Sequence, residues 1–386
     1  MILSYHAFTY EIDDIEAAVE EILAQLDMDH HLLAHSAGIL SCYAEFIDSG
    51  VVRALAERLP FPIVGTTTLA TAIPEAADHL LLSLLVLTSD DTSFAVEETE
   101  PITDNLEAVV QEAYQKAETA LGQKPGLMFS FAPLLLNYAG DQYVEALDQA
   151  SGGVPNFGTI TVDHTQDYSE CRVICNGSSS NQRIAFLLVG GNPSPAFSMA
   201  TVSEKNILRQ NAIITAADGN ILKEVNHQPL AAYLETVGLA KDGKISEGVN
   251  SVPFLIGKSD GTQPVARAMF AILPDGSGAC GGVMPVGDTL SICAMDRQEV
   301  LDTSEAAIDC LLAGPPIKTL LIFSCLGRNL ALGADPMAEL EAMRGKLEDR
   351  CQYLICYSGG EICPVQSEHG GLHNRFHNNT LVICAF

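Results

Sequence analysis

One arrangement recurs three times along this chain: an apolar run closing on a serine, a helix, a second apolar run closing on a glycine, then a later apolar run. In the first copy these are residues 32–38, 47–59, 62–68 and 80–87, with Ser36 and Gly65 at the two turns. In the second they are 127–133, 141–150, 155–161 and 184–189, with Ser130 and Gly158. In the third they are 320–328, a helix opening at Asp335-Pro336, 353–361 and 381–384, with Ser324 and Gly360. The string Pro-x-x-Gly-Thr-x-Thr, at 62 and again at 155, ties the first two copies together. Repetition of such a unit predicts an α/β protein whose mixed sheets are built from β-α-β-β repeats.

The helices between the runs carry their own signals. Asp13 stands three residues before Glu16, a capping-box spacing, and Ile15, Ala18, Val19, Ile22, Leu23 and Leu26 share one face. Asp104 and Glu107 repeat this spacing, Leu106, Val110, Ala113, Ala117 and Leu121 point inward, and Gly122 is the stop. Beyond residue 200 the pattern changes. Asp218-Gly219 and Pro274-Asp275-Gly276 read as hairpin turns around a lone helix candidate at 229–239. The expected organisation is two interlocked halves, 1–203 and 204–386, the second returning to the repeated unit in its last third.

Charge excludes two classes of partner. Against 49 Asp and Glu there are 20 Lys and Arg, a net charge of −29, and no two basic residues are adjacent. Such a field repels phosphate backbones and anionic lipid, so neither nucleic acid nor membrane is expected as a partner. The most apolar stretch, 79–87, is about half of a membrane span, and the amino end lacks the basic region of a signal peptide. Eleven cysteines with no Cys-x-x-Cys pair read as reduced thiols packed as small hydrophobes, which suits a cytoplasmic protein.

In open α/β sheets, ligands bind beyond the carboxyl ends of parallel strands. Of the three copies, only the last sets reactive groups there: Ser324-Cys325-Leu326-Gly327-Arg328, then Gly359-Gly360-Glu361. Arg328 offers a planar fork for a carboxylate or phosphate, and the glycines let a ligand approach the main chain. The alternative is an ion pair between Arg328 and Glu361. His369, His373 and His377 are spaced by four, but the Gly370-Gly371 and Asn378-Asn379 pairs argue against a helix there, so they read as a solvated surface loop. Cys325 with one of these histidines as base is a nucleophile candidate; a buried structural thiol is the plainer reading.

The strings Phe-Ser-Cys-Leu-Gly-Arg at 323, Ser-Gly-Gly-Glu-Ile-Cys-Pro at 358 and His-Asn-Asn-Thr-Leu-Val-Ile at 377 resemble the carboxyl-terminal FIST domain of bacterial and archaeal sensory proteins. The segments 63–68, 154–158 and 183–189 are similar to its amino-terminal companion, and 253–255, 266–267 and 282–288 to the family's middle segment. After Gly158 the chain departs from the family's Gly-rich pattern, running Thr159-Ile160-Thr161-Val162-Asp163. The resemblance implies a sensory, non-enzymatic protein in intracellular signal transduction that binds a small molecule such as an amino acid. Ligand occupancy would pass to a separate partner, a histidine kinase or another signalling protein. The ligand set expected is Arg328, Glu361, Cys325, Ser324, Gly327, Gly360 and Asn379. No cofactor is expected; a haem-based gas sensor, with His35 at a strand end as a lesser candidate ligand, and a Cys-dependent hydrolase or transferase are the alternatives.

Overall fold

The computed structural model describes the chain apart from residues 136, 166, 242–243, 246–251, 258–261, 349 and 368–369, and for 244–245 only the backbone. Three six-stranded sheets repeat one strand order. In the first, Leu3–Thr9 lies antiparallel to Leu82–Ser89, which pairs with His35–Cys42, and that strand runs parallel to Ile63–Thr67. Phe94–Glu98, Ala185–Gly190, Pro125–Ala132 and Asn156–Ile160 take the same places in the second. Ala196–Ala200, Leu381–Ala385, Thr319–Cys325 and Gln352–Ser358 take them in the third. The predicted α/β class and the repeated unit are both present.

The exposed edge of the second parallel strand is a liability in any such unit, because its N–H and C=O groups need partners. Each unit lends a hairpin to another to meet that need. The first unit's Thr71–Ala72 and Ala77–Asp78 extend the third sheet; the second unit's Val173–Cys175 and Ser178–Ser180 extend the first. The third unit's Gly360–Gln366 and Leu372–His377 extend the second, which closes the ring. Two of these three exchanges cross residue 203. The halves are interlocked, and the interlocking elements are three units rather than two.

Alternation along the strands sorts the side chains. Inward residues of all three sheets meet in one core that includes Ile39, Val64, Leu85, Phe129, Phe131, Phe157, Leu187, Phe323 and Val382. Phe157 stacks on Phe323 across two units, with ring centroids 5.1 Å apart. Burying each such side chain stabilises the fold by about 1.5–3 kcal/mol. Outward residues meet helices: Ile15–Leu26 and Val51–Arg58 on the first sheet, Leu106–Leu121 and Gly140–Ser151 on the second, Arg297–Leu312 and Ala338–Leu347 on the third. Residues 201–296 form an insertion before the third unit's first helix. Among the described residues it carries an eight-stranded sheet and its own core of Ile214, Leu222, Leu234, Phe254, Ile256 and Leu290. Its expected hairpins at Gly219 and Gly276 and its helix, Leu230–Thr236, are there.

Several local expectations need correcting. Asp14, not Asp13, caps the first helix, accepting from the Ala17 amide at 3.1 Å. The cap of Leu106–Leu121 is Asn105 rather than Asp104, while Gly122 ends it with φ +67° as expected. The third unit's helix begins at Ala338, after Met337, instead of at Asp335-Pro336, and a short helix, Leu326–Leu332, precedes it. Ser36 opens its strand rather than ending it, because the pairing of His35–Cys42 with Leu82–Ser89 starts there. Gly65 and Gly158 lie inside strands; Gly158 sits opposite Ser130, and the third unit's residue opposite Ser324 is Tyr357, not Gly360. His373 and His377 lie on the strand Leu372–His377, the first exposed and the second buried, so they are not a solvated loop; His369 lies outside the described residues.

Candidate functional site

Ser324 and Cys325 are neighbours at the end of Thr319–Cys325, so they face opposite sides of the third sheet. Ser324 faces outward, beneath the helices, and donates to Glu339 Oε2 at 2.8 Å. Arg328 lies on the same side. The chain enters a helix at Leu326 instead of making an open turn, and this turns the guanidinium back under Arg297–Leu312. There Arg328 Nε donates to Glu339 Oε1 at 2.9 Å, and Nη2 donates to Ser304 Oγ at 2.7 Å and Val300 O at 3.0 Å. Both members of the Arg328–Glu339 pair are fully buried. The expectations of Arg328 at an exposed sheet edge and of an Arg328–Glu361 ion pair are therefore both corrected: the partner is Glu339. Only Nη1 of the guanidinium makes no hydrogen bond.

Cys325 faces the other way, into a cavity of about 190 Å³. Its walls come from three parts of the chain. The third unit gives Cys325, Leu326, Gly327, Leu330, Gly359, Asn378 and Asn379; the second gives Tyr168; the insertion gives Ala268 and Phe270. Of the expected set, Cys325, Gly327 and Asn379 line this space together. Glu361 and Gly360 lie behind the wall, and Ser324 and Arg328 belong to the outer network. Gly327 is required by close approach, since a Cβ there would collide with Asn379 Oδ1. Gly360 leaves room in the same way for the Phe376 ring. Asn379 itself has φ +51°, a left-handed conformation that asparagine tolerates better than most residues.

The polarity of this cavity is unusual. Asn379 is 1% exposed, yet neither its Oδ1 nor its Nδ2 has a hydrogen-bond partner. Asn378, 2% exposed, leaves its Oδ1 unpartnered. Each unmet buried polar atom costs about 1–3 kcal/mol, a cost that a ligand can remove. Glu361 stands beside the Cys325 thiol and the Ser358 hydroxyl, without a well-formed hydrogen bond to either carboxyl oxygen. Ser358 is occupied elsewhere: it receives the Thr159 hydroxyl at 2.6 Å and donates to Gly360 O at 2.7 Å. Burial pushes Glu361 well above the usual carboxylate range, which favours its neutral, protonated form. Burial, then the Glu361 charge, also pushes the Cys325 thiol well above its normal range, and the Gly327 and Asn379 amides offset this only in part.

That electrostatic setting suits binding better than nucleophilic attack, because the thiolate is the reactive form. Among the described residues no histidine lines the cavity, so neither His373 nor His377, two of the bases weighed for Cys325, borders it. A porphyrin would need more room than about 190 Å³ and an imidazole facing it, so this site does not fit haem. His35 lines a separate groove of about 360 Å³ with Pro60, Pro62 and Phe94. Among the described residues no His, Cys, Asp and Glu cluster has a metal-binding arrangement, and no helix is long and apolar enough to cross a membrane. Sequence reasoning missed Tyr168, Ala268 and Phe270, which carry no local signal; Asn378 could have been found from its place beside Asn379.

No curated protein matches this chain. Among solved structures it is similar to the cyanuric acid hydrolase from A. caulinodans, at 12% identity and a TM-score of 0.40, covering 100% of this chain and 99% of that one. A likeness of that strength carries no argument about activity. The family comparison is stronger: the FIST N domain model matches residues 36–228 and the FIST C domain model matches residues 229–364. FIST domains are associated with sensory signal transduction and small-ligand binding. Their shared match, spread over most of a chain built as three exchanged units with an insertion, makes this protein a member of the FIST family, with its N and C domains in one polypeptide.

Proposed function

We propose that this chain is a small-molecule-binding sensory protein whose ligand occupies the Cys325–Asn379 cavity and whose occupancy is read by a separate signalling protein. The observation that carries this reading is the Asn379 amide, buried at the cavity wall with both polar atoms unpartnered. Such a group is costly when empty and favourable when a ligand meets it. A ligand there touches the second unit, the third unit and the insertion at once, so binding draws three segments together. Phe270 and Leu330, at 62% and 49% exposure, stand where a partner could sense that change.

A thermal-shift screen with amino acids and other small metabolites tests the reading. A ligand at 100 times its dissociation constant adds about 2.7 kcal/mol of stability. Its effect is expected to vanish in Asn379→Gly, which keeps the left-handed backbone but removes the amide. If no metabolite stabilises the protein, or if stabilisation survives that substitution, the assignment fails. The rival covalent role for Cys325 has its own test in iodoacetamide labelling. Cys310 is the exposed thiol of the eleven, so it is expected to react first, and rapid modification of Cys325 would favour the rival.

A further inference from the structure

The cavity wall is polar without being charged. No Lys, Arg, Asp or Glu side chain lines it among the described residues, and the Arg328 guanidinium is held by Glu339 on the far side of the sheet. Whichever way the Asn379 amide is turned, it presents one free donor and one free acceptor side by side. Tyr168, Phe270, Leu326 and Leu330 supply an apolar remainder. The volume of about 190 Å³ equals roughly six waters at ~30 Å³ each.

Resting on the site assignment above, we propose that this cavity selects a small uncharged molecule with an amide-type edge, a carbonyl beside an N–H, attached to an apolar body. An amide edge pairs with Asn379 through two antiparallel hydrogen bonds, meeting both unpartnered atoms in one step. A carboxylate of the same shape leaves the Asn379 acceptor unmet and gives up its hydration with no cation in the wall to replace it. It also enters against a net charge of −29. An amidinium leaves the Asn379 donor unmet. On this proposal the ligand is neutral, in contrast to the free amino acid that the family resemblance implies. The burial that favours the protonated form of the neighbouring Glu361 agrees with a site that takes no full charge.

Matched isosteric sets provide the experiment: benzamide, benzoate and benzamidine, with the acetamide and nicotinamide sets beside them, titrated by calorimetry and thermal shift on the full chain. At least one amide is expected to bind at least tenfold more tightly than its charged partners. Asn379→Asp keeps the side-chain shape and the left-handed backbone but loses the donor, so amide affinity is expected to fall at least tenfold. Asn379→Gly provides the same test should the aspartate variant melt early. A carboxylate that binds more tightly than its amide overturns the proposal. Failure of every amide at tens of millimolar overturns it as well. If another metabolite then binds in an Asn379-dependent way, the site assignment stands and only the ligand class falls; if none does, both fall.

Discussion

The second and third units place the same strand in the same register and finish it differently. Ser130 and Ser324 both face outward and both bond a buried partner, Asn156 Oδ1 in one case and Glu339 in the other. One residue further on, Phe131 fills the core opposite Thr159, whereas Cys325 lies opposite Ser358 and borders a cavity. Their donated hairpins differ too. The second sheet receives strands of seven and six residues; the third receives two strands of two residues each. One scaffold position thus serves packing in one unit and forms an opening in the other, through exchange of a phenyl for a thiol and of neutral partners for a buried ion pair.

The largest expected effect breaks the comparison by removing one side of it. Residues 1–203 alone lack the hairpin Gly360–Gln366 and Leu372–His377, so the second sheet has its Asn156–Ile160 edge bare. The fragment is expected to aggregate or to melt without a cooperative transition, measured by calorimetry against the full chain. A sharp transition in the fragment would show that the exchanged hairpins are dispensable.

The two outward serine networks come next. Arg328→Ala leaves Glu339 buried without its cation, which is expected to cost about 3–5 kcal/mol of stability. Ser130→Ala removes a neutral hydrogen bond and is expected to cost only about 1 kcal/mol. Denaturant melts of both variants, with and without ligand, make the comparison. Equal losses would mean that the ion pair does no more than the serine–asparagine bond.

Cys325→Phe gives the third unit the residue of the second. The ring enters the cavity, so ligand binding is expected to fall about a hundredfold or more, while overpacking costs about 1–3 kcal/mol. Undiminished ligand affinity by titration would move the binding site elsewhere.

Much of this contrast was legible beforehand. The three-fold order of runs, Gly122 as a stop and the insertion's turns all follow from local periodicity and turn chemistry, whereas Asn379 entered the expected site only through the family-like string at 377. Arg328 was misplaced because its neighbourhood is decided at long range. Gly327 reads as an open turn in one dimension, but packing of Leu326–Leu332 beneath Arg297–Leu312 makes it helical. Tyr168 and Phe270 were invisible for the same reason, since they reach the cavity from segments about 160 and 60 residues away in sequence. Hairpin exchange, too, depends on which edge each strand pair finds open, and no string of residues states that.

The smallest effect concerns Glu361, the fully buried acid beside the Cys325 thiol. Burial raises its folded-state pKa well above the unfolded value of about 4.3, so the native protein holds this proton more tightly than the unfolded chain. Between those two pKa values the native state binds more protons, and stability must fall as pH rises. The loss is about 1.4 kcal/mol for each tenfold difference in proton affinity, complete once pH passes the folded pKa. Glu361→Gln keeps the shape and cannot ionise. Its melting temperature relative to wild type is expected to be nearly level at pH 4 and to gain steadily toward pH 8. Thermal melts of the two proteins across that range measure the difference directly. A gap that stays constant with pH would mean that Glu361 ionises freely in the folded protein, and that the cavity beside Cys325 tolerates a charge.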